Sequence, residues 1–78
     1  MFTVEHEFDA TVVTLVDEGA TTAPLMEDVT LNAFEDCVTV EQYDPHSDRV
    51  HKITLSLAQV RDLAMALNRP EGVYRSAP

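Results

Sequence analysis

"VTLNAFEDCVTVEQYDPHSDRVHKITL", residues 29–55, is the stretch whose reading decides the fold. If Glu35 and Asp36 form a two-residue turn, Phe34 faces Cys37, Ala33 faces Val38, Leu31 faces Val40 and Val29 faces Gln42. The apolar members of both strands then fall on one side. That dipeptide lacks the Asn or Gly that a tight hairpin prefers, so a slightly longer loop also fits. Further on, "DPHSDR" carries the Pro and the Asx and Ser residues that favour chain reversal. Pairing Tyr43 with Val50 across it sets Val40 against Ile53, Val38 against Leu55, and Glu41 against Lys52 on the outer face. Two hairpins reached separately agree on one core face, which is the consistency a meander requires.

Upstream, Phe2 to Val16 alternates apolar and polar residues. Phe2, Val4, His6, Phe8, Ala10 and Val12 are expected to face the core, with Thr3, Glu5, Glu7, Asp9 and Thr11 outward. The pattern blurs in "VVTLV", which points to a bulge or a break near Asp9–Ala10. "EGATTAPLM" reads as a loop punctuated by Gly19 and Pro24. Downstream, Ser56 and Gln59 have the spacing of a capping box, and Leu57, Val60, Leu63, Ala64 and Leu67 then form one apolar stripe. Asn68, Arg69 and Pro70 end the helix. The expected fold is a single α+β domain of two layers over residues 1–78. An antiparallel four-strand meander, five-strand if the first segment breaks, spans 2–55. One C-terminal helix over 57–68 packs on its apolar face, and 69–78 is a tail. The pattern leaves open which sheet edge the first strand joins.

A chain of 78 residues buries only about 60–65% of the surface its unfolded form exposes, so it holds one core or gains burial by association. With Cys37 as the single cysteine no internal disulfide can form. Neither a basic apolar leader nor an apolar run of about 18 residues occurs, and the chain reads as a soluble cytoplasmic protein.

The net charge of -9 is unevenly placed. Residues 1–48 hold Glu5, Glu7, Asp9, Asp17, Glu18, Glu27, Asp28, Glu35, Asp36, Glu41, Asp44 and Asp48 without one Lys or Arg. Arg49, Lys52, Arg61, Arg69 and Arg75 all follow, against Asp62 and Glu71. Direct nucleic-acid binding is disfavoured, since phosphates are held by clustered Lys and Arg. An acidic surface instead suits a basic partner, or simply keeps the chain soluble. On one extended strand Glu5, Glu7 and Asp9 would stand about 6.6 Å apart, on the scale of successive phosphates.

Catalytic patterns are weak. Asp44, His46, Asp48 and His51 gather in and beside the second turn but match no recognised ligand spacing, and a polar turn containing histidine explains them. Cys37 and His51 lie on neighbouring strands, offset by roughly four residues at about 3.3 Å each, beyond hydrogen-bond reach. His6 is expected at the core edge, with Gln42 or His51 as a partner. No phosphate-binding glycine loop, H-E-x-x-H or paired C-x-x-C occurs. No catalytic residue, cofactor or metal is assigned.

With "VEHEFD", "EDVTLNAFEDCVTVEQ" and "LSLAQVRDLAMAL" as the corresponding pieces, the chain resembles small phage-encoded inhibitors, anti-CRISPR proteins in particular. The likeness lies in length, acidity, absence of a catalytic motif and meander-plus-helix layout. It is general, covers the whole chain and transfers no individual binding residue. It implies a non-enzymatic inhibitor whose acidic surface occupies a Lys/Arg-lined nucleic-acid channel on a bacterial effector complex and blocks recognition. On the residues alone, the expected contact set is Glu5, Glu7, Asp9 and Glu41 on the sheet face. Asp17, Glu18, Glu27, Asp28, Glu35 and Asp36 extend it along the loops, and Phe34 and Tyr43 serve as outward apolar anchors. The alternatives are a small structural or regulatory domain working as a homodimer or subunit, and a small hydrolase or metal enzyme using the histidine turn.

Overall fold

The computed structural model describes residues 1–19 and 24–68. Five strands form one antiparallel sheet in sequence order: β1 (Phe2–His6), β2 (Thr11–Leu15), β3 (Val29–Ala33), β4 (Cys37–Asp44) and β5 (Arg49–Ser56). Helix α1 (Leu57–Leu67) follows at once. The expected tail, 69–78, lies outside the described residues.

The central register is the one that hydrophobic patterning requires. Leu31 pairs with Val40, Val29 with Gln42 and Ala33 with Val38. Val40 in turn pairs with Ile53, Val38 with Leu55, Glu41 with Lys52 and Tyr43 with Val50. Glu35 and Asp36 do form the β3–β4 turn, closed by the Phe34 amide donating to the Cys37 carbonyl at 2.8 Å.

The first segment differs from a single strand. The chain reverses at Phe8–Asp9, where the Glu7 amide donates to the Ala10 carbonyl at 2.8 Å, and β2 returns along β1. This is the five-strand alternative, and it settles the edge: β1 joins β2, which joins β3. Reversal inverts the face assignment of the returning strand. Val4 opposes Val13, not Val12, so Val13 and Leu15 share the apolar face while Val12 sits opposite Glu5 on the other. Phe8, expected in the core, is wholly exposed at the tip, with a relative accessibility of 105%.

Partners directly opposite share a face, so the ladders generate rows across the sheet. The middle row of one face runs Val4, Val13, Leu31, Val40, Ile53. Phe2, Leu15, Val29, Gln42 and His51 flank it on one side, and His6, Thr11, Ala33, Val38 and Leu55 on the other. The opposite face is dominated by threonine: Thr3, Thr14 and Thr30 in one row, with Thr39 and Thr54 paired in another.

α1 contacts β4 and β5. Its N-terminus is a complete capping box, in which the Ser56 hydroxyl accepts from the Gln59 amide and the Gln59 carboxamide accepts from the Ser56 amide, both at 3.0 Å. The stripe of Leu57, Val60, Leu63, Ala64 and Leu67 is nevertheless largely uncovered: no helix residue is buried and only Val60 is half-buried. An eleven-residue helix is about 17 Å long and one helix diameter is about 10 Å, too little to roof five strands. Among the described residues the only buried apolar side chain is Val38, at 6% accessibility. Because so short a helix depends on its cap, Ser56→Ala is expected to cost about 1 kcal/mol, lowering Tm by roughly 5 °C. Ser56→Asp should restore most of that loss, and thermal melts of the pair check it.

Candidate functional site

In a meander successive turns alternate between the two ends of the sheet, and this sorts the acidic residues. The β1–β2 and β3–β4 turns share one end, placing Glu7, Phe8 and Asp9 beside Phe34, Glu35 and Asp36. The two turns are separated by two strand spacings, about 10 Å. Each turn presents one aromatic ring and two carboxylates, and all six residues are exposed. Phe8 is the member missed by reading residues 2–16 as one strand. The available signal was indirect: the alternation blurs only further on, in "VVTLV", which points back to a bulge or a break near Asp9–Ala10.

The other end holds the β2–β3 connection and the β4–β5 turn. There Asp17 organises the chain: one carboxylate oxygen accepts from the Gly19 amide and the other from the Met26 amide, each at 2.9 Å. These two backbone donors, Met26 foremost, hold its carboxyl below the usual 3.8. Gly19 has φ +70°, and a Cβ added there would lie 2.6 Å from Leu25 Cδ2, so both backbone and space favour glycine. Glu18, Glu27 and Asp28 are exposed along the same connection.

Asp44 gathers the β4–β5 turn. Its Oδ1 accepts from the His46 amide at 3.0 Å, and its Oδ2 accepts from the Ser47 hydroxyl at 2.9 Å and meets His51 Nε2 at 3.2 Å. The Ser47 hydroxyl, followed by the His46 amide and His51, lowers its pKa from the usual 3.8. Asp48 turns the chain with φ +56°, a conformation that Asp tolerates better than most residues, and its Oδ1 accepts from the Tyr43 hydroxyl at 2.8 Å. That bond to a carboxylate is the main cause of the raised Tyr43 pKa. Asp44 thus engages His51, Ser47 and the turn backbone, whereas Asp48 pairs with Tyr43 and His46 contributes its backbone amide. Among the described residues no group of three or more His, Cys, Asp and Glu side chains converges as metal ligands do. A shallow groove of about 360 Å³ lies beside them, bounded by Leu25, Met26, Gln42, Tyr43 and His51 among others.

Cys37 and His51 cannot act as nucleophile and base, since Cys37 pairs with Ser56 and His51 with Gln42, on opposite faces of the sheet. Burial, and then Asp36, raise the Cys37 pKa, which keeps the thiol protonated. His6 Nδ1 lies 3.2 Å from the Thr11 hydroxyl, so its partner is neither Gln42 nor His51.

The expected row of carboxylates does not form. Glu5 lies on β1, whereas Glu7 and Asp9 belong to the turn, so the three have no common strand face or 6.6 Å repeat. On the sheet itself only Glu5 and Glu41 remain from the acidic set, and Glu41 is engaged by Asn32 Nδ2 at 3.1 Å and faces Lys52. Phe34 and Tyr43 are exposed as expected, but at opposite ends of β4, Phe34 beside its start and Tyr43 near its finish. Among the described residues no helix is long and apolar enough to cross a membrane.

No curated protein and no solved structure matches this chain. A family model does match residues 3–66, from β1 nearly to the end of α1, and the chain therefore belongs to the family described as domain of unknown function DUF8831.

Proposed function

We propose that this chain is a non-enzymatic binding protein that docks the aromatic, acidic end of its sheet on a basic protein surface of the kind that holds nucleic acid. The wholly exposed Phe8 between Glu7 and Asp9 carries the reading. A phenyl ring at a hairpin tip contributes nothing to the fold, and flanking carboxylates oppose its burial in any acidic or purely apolar site. Phe34 with Glu35 and Asp36 repeats the same chemistry about 10 Å away. Such a pair of turns offers two rings as anchors with carboxylates around them to steer encounter and select a basic partner. Docking there would exclude nucleic acid by occupation, the mode of action that the likeness to anti-CRISPR inhibitors implies. The absence of a regular carboxylate row makes charge-plus-anchor contact a better account than imitation of a phosphate strand.

The test is capture from a bacterial lysate with the wild-type chain and with a variant carrying Phe8→Ser, Glu7→Gln, Asp9→Asn, Glu35→Gln and Asp36→Asn. Wild type should retain a basic nucleic-acid-handling protein that added DNA or RNA displaces, and the variant should lose it. Equal retention by the variant, or retention that nucleic acid does not disturb, would overturn the proposal.

A further inference from the structure

We propose that the apolar face of the sheet is a homodimer interface, in which a second copy of this chain supplies the layer that α1 does not. A sheet with an apolar face is stable only when that face packs against something. Here the middle row, Val4, Val13, Leu31, Val40 and Ile53, contains no buried residue, and Ile53 is 58% accessible at its β5 end. Phe2 stands at 65% in the row beside it.

Area and charge both select a second copy over the basic partner of the acidic turns. Five strands of at least five residues give a face of roughly 24 by 17 Å, about 400 Å² in projection, the size of the largest apolar patch on a typical monomer, which is often an interaction site. Without the buried Val38, its three rows, together with Asp44 and Arg49 at the longer β4–β5 end and Leu25 and Met26 beside the groove, come near the lower end of the roughly 20–30 residues per side of a standard stable interface. The three rows contain no Asp, Glu, Lys or Arg, and at the end of the face Asp44 stands opposite Arg49. The charge of -9 therefore lies off this surface and does not oppose self-association across it. A basic partner would find no anion within the three rows, and Asp44 at their end is already engaged by Ser47, His51 and the His46 amide. What the face requires is a flat, neutral, apolar surface of equal extent and matching twist, and a copy related by a two-fold axis presents one, as two sheets packed about 10 Å apart.

Sedimentation and light scattering on the full chain should give twice the 8.7 kDa chain mass at micromolar concentration. If dimerisation supplies the core, Tm falls by about 8 °C on hundredfold dilution, because unfolding then releases two chains. Ile53→Glu should give single chains, or lose its melting transition, at concentrations where wild type is dimeric. Thr54→Glu, one residue along on the opposite face, should leave the mass unchanged. A single-chain mass with a concentration-independent Tm would overturn the proposal, as would a dimer indifferent to Ile53→Glu or dissolved equally by Thr54→Glu. The turn variants used to test partner capture lie off this face and should leave the dimer intact, so the two proposals fail separately.

Discussion

Val38→Asp is expected to abolish the cooperative thermal transition at pH 7. Val38 is the one buried apolar side chain among the described residues, and it pairs with Ala33 on β3 and Leu55 on β5. Neither neighbour offers a donor to a carboxylate. Placing an unpaired charge there costs on the order of 4 kcal/mol or more. A domain of this size sits near the lower end of the usual 5–15 kcal/mol of total stability, so little would remain. Acid should rescue it in part. Burial raises the folded-state pKa of the introduced carboxyl above its unfolded value, so the penalty is present at neutral pH and fades as the pH falls toward the unfolded value near 4. Melts at pH 7 and pH 4.5 check this, and a variant melting within a few degrees of the parent at pH 7 would refute the packing described. Val40→Asp is the informative companion. Val40 is half-buried in the single chain, so a penalty as large as that of Val38→Asp would mean that another surface seals the middle row.

Asp17→Ala should release the connection between β2 and β3 while leaving the sheet standing. The Asp17 carboxylate is the acceptor for both the Gly19 and Met26 amides, and alanine leaves those two donors to solvent. Hydrogen exchange at both amides should accelerate at least tenfold, with exchange within β3 and β4 little changed. Wild type should show the same loosening in acid. Because the folded pKa of Asp17 lies below its usual 3.8, the contribution is complete above that value and is lost as the pH falls through the lower folded one. Exchange at Met26 that is equally slow in wild type and variant would show that something other than Asp17 holds the connection.

These expectations rest on a register that was legible from one dimension. Between residues 29 and 55 the side-chain period of two, the two-residue turn at Glu35–Asp36 and the Pro-containing turn after Asp44 allow one pairing that keeps Leu31, Val38, Val40, Ile53 and Leu55 together. A slip of one residue would send every one of them to the wrong side. The helix start was equally readable, since Ser56 and Gln59 satisfy each other's backbone amides locally, with no contribution from distant residues.

The first hairpin was not legible because Glu7-Phe8-Asp9-Ala10 contains no glycine, proline or asparagine, and the apolar-polar alternation runs straight through the reversal. What turns the chain there is long-range. β2 has β3 on one side, where Val13 pairs with Leu31 and Leu15 with Val29, and these apolar rows continue to Val4 and Phe2 only if β1 folds back. That choice moved Phe8 from the expected core to the tip and divided Glu5 from Glu7 and Asp9, replacing an acidic strand face with aromatic-acid turns. Composition determined that the chain is acidic, and local pattern determined three of its strands and its helix. Tertiary structure alone decided where the charge stands and how much of the apolar face stays open, because strand order and the reach of an eleven-residue helix are properties of the assembled sheet.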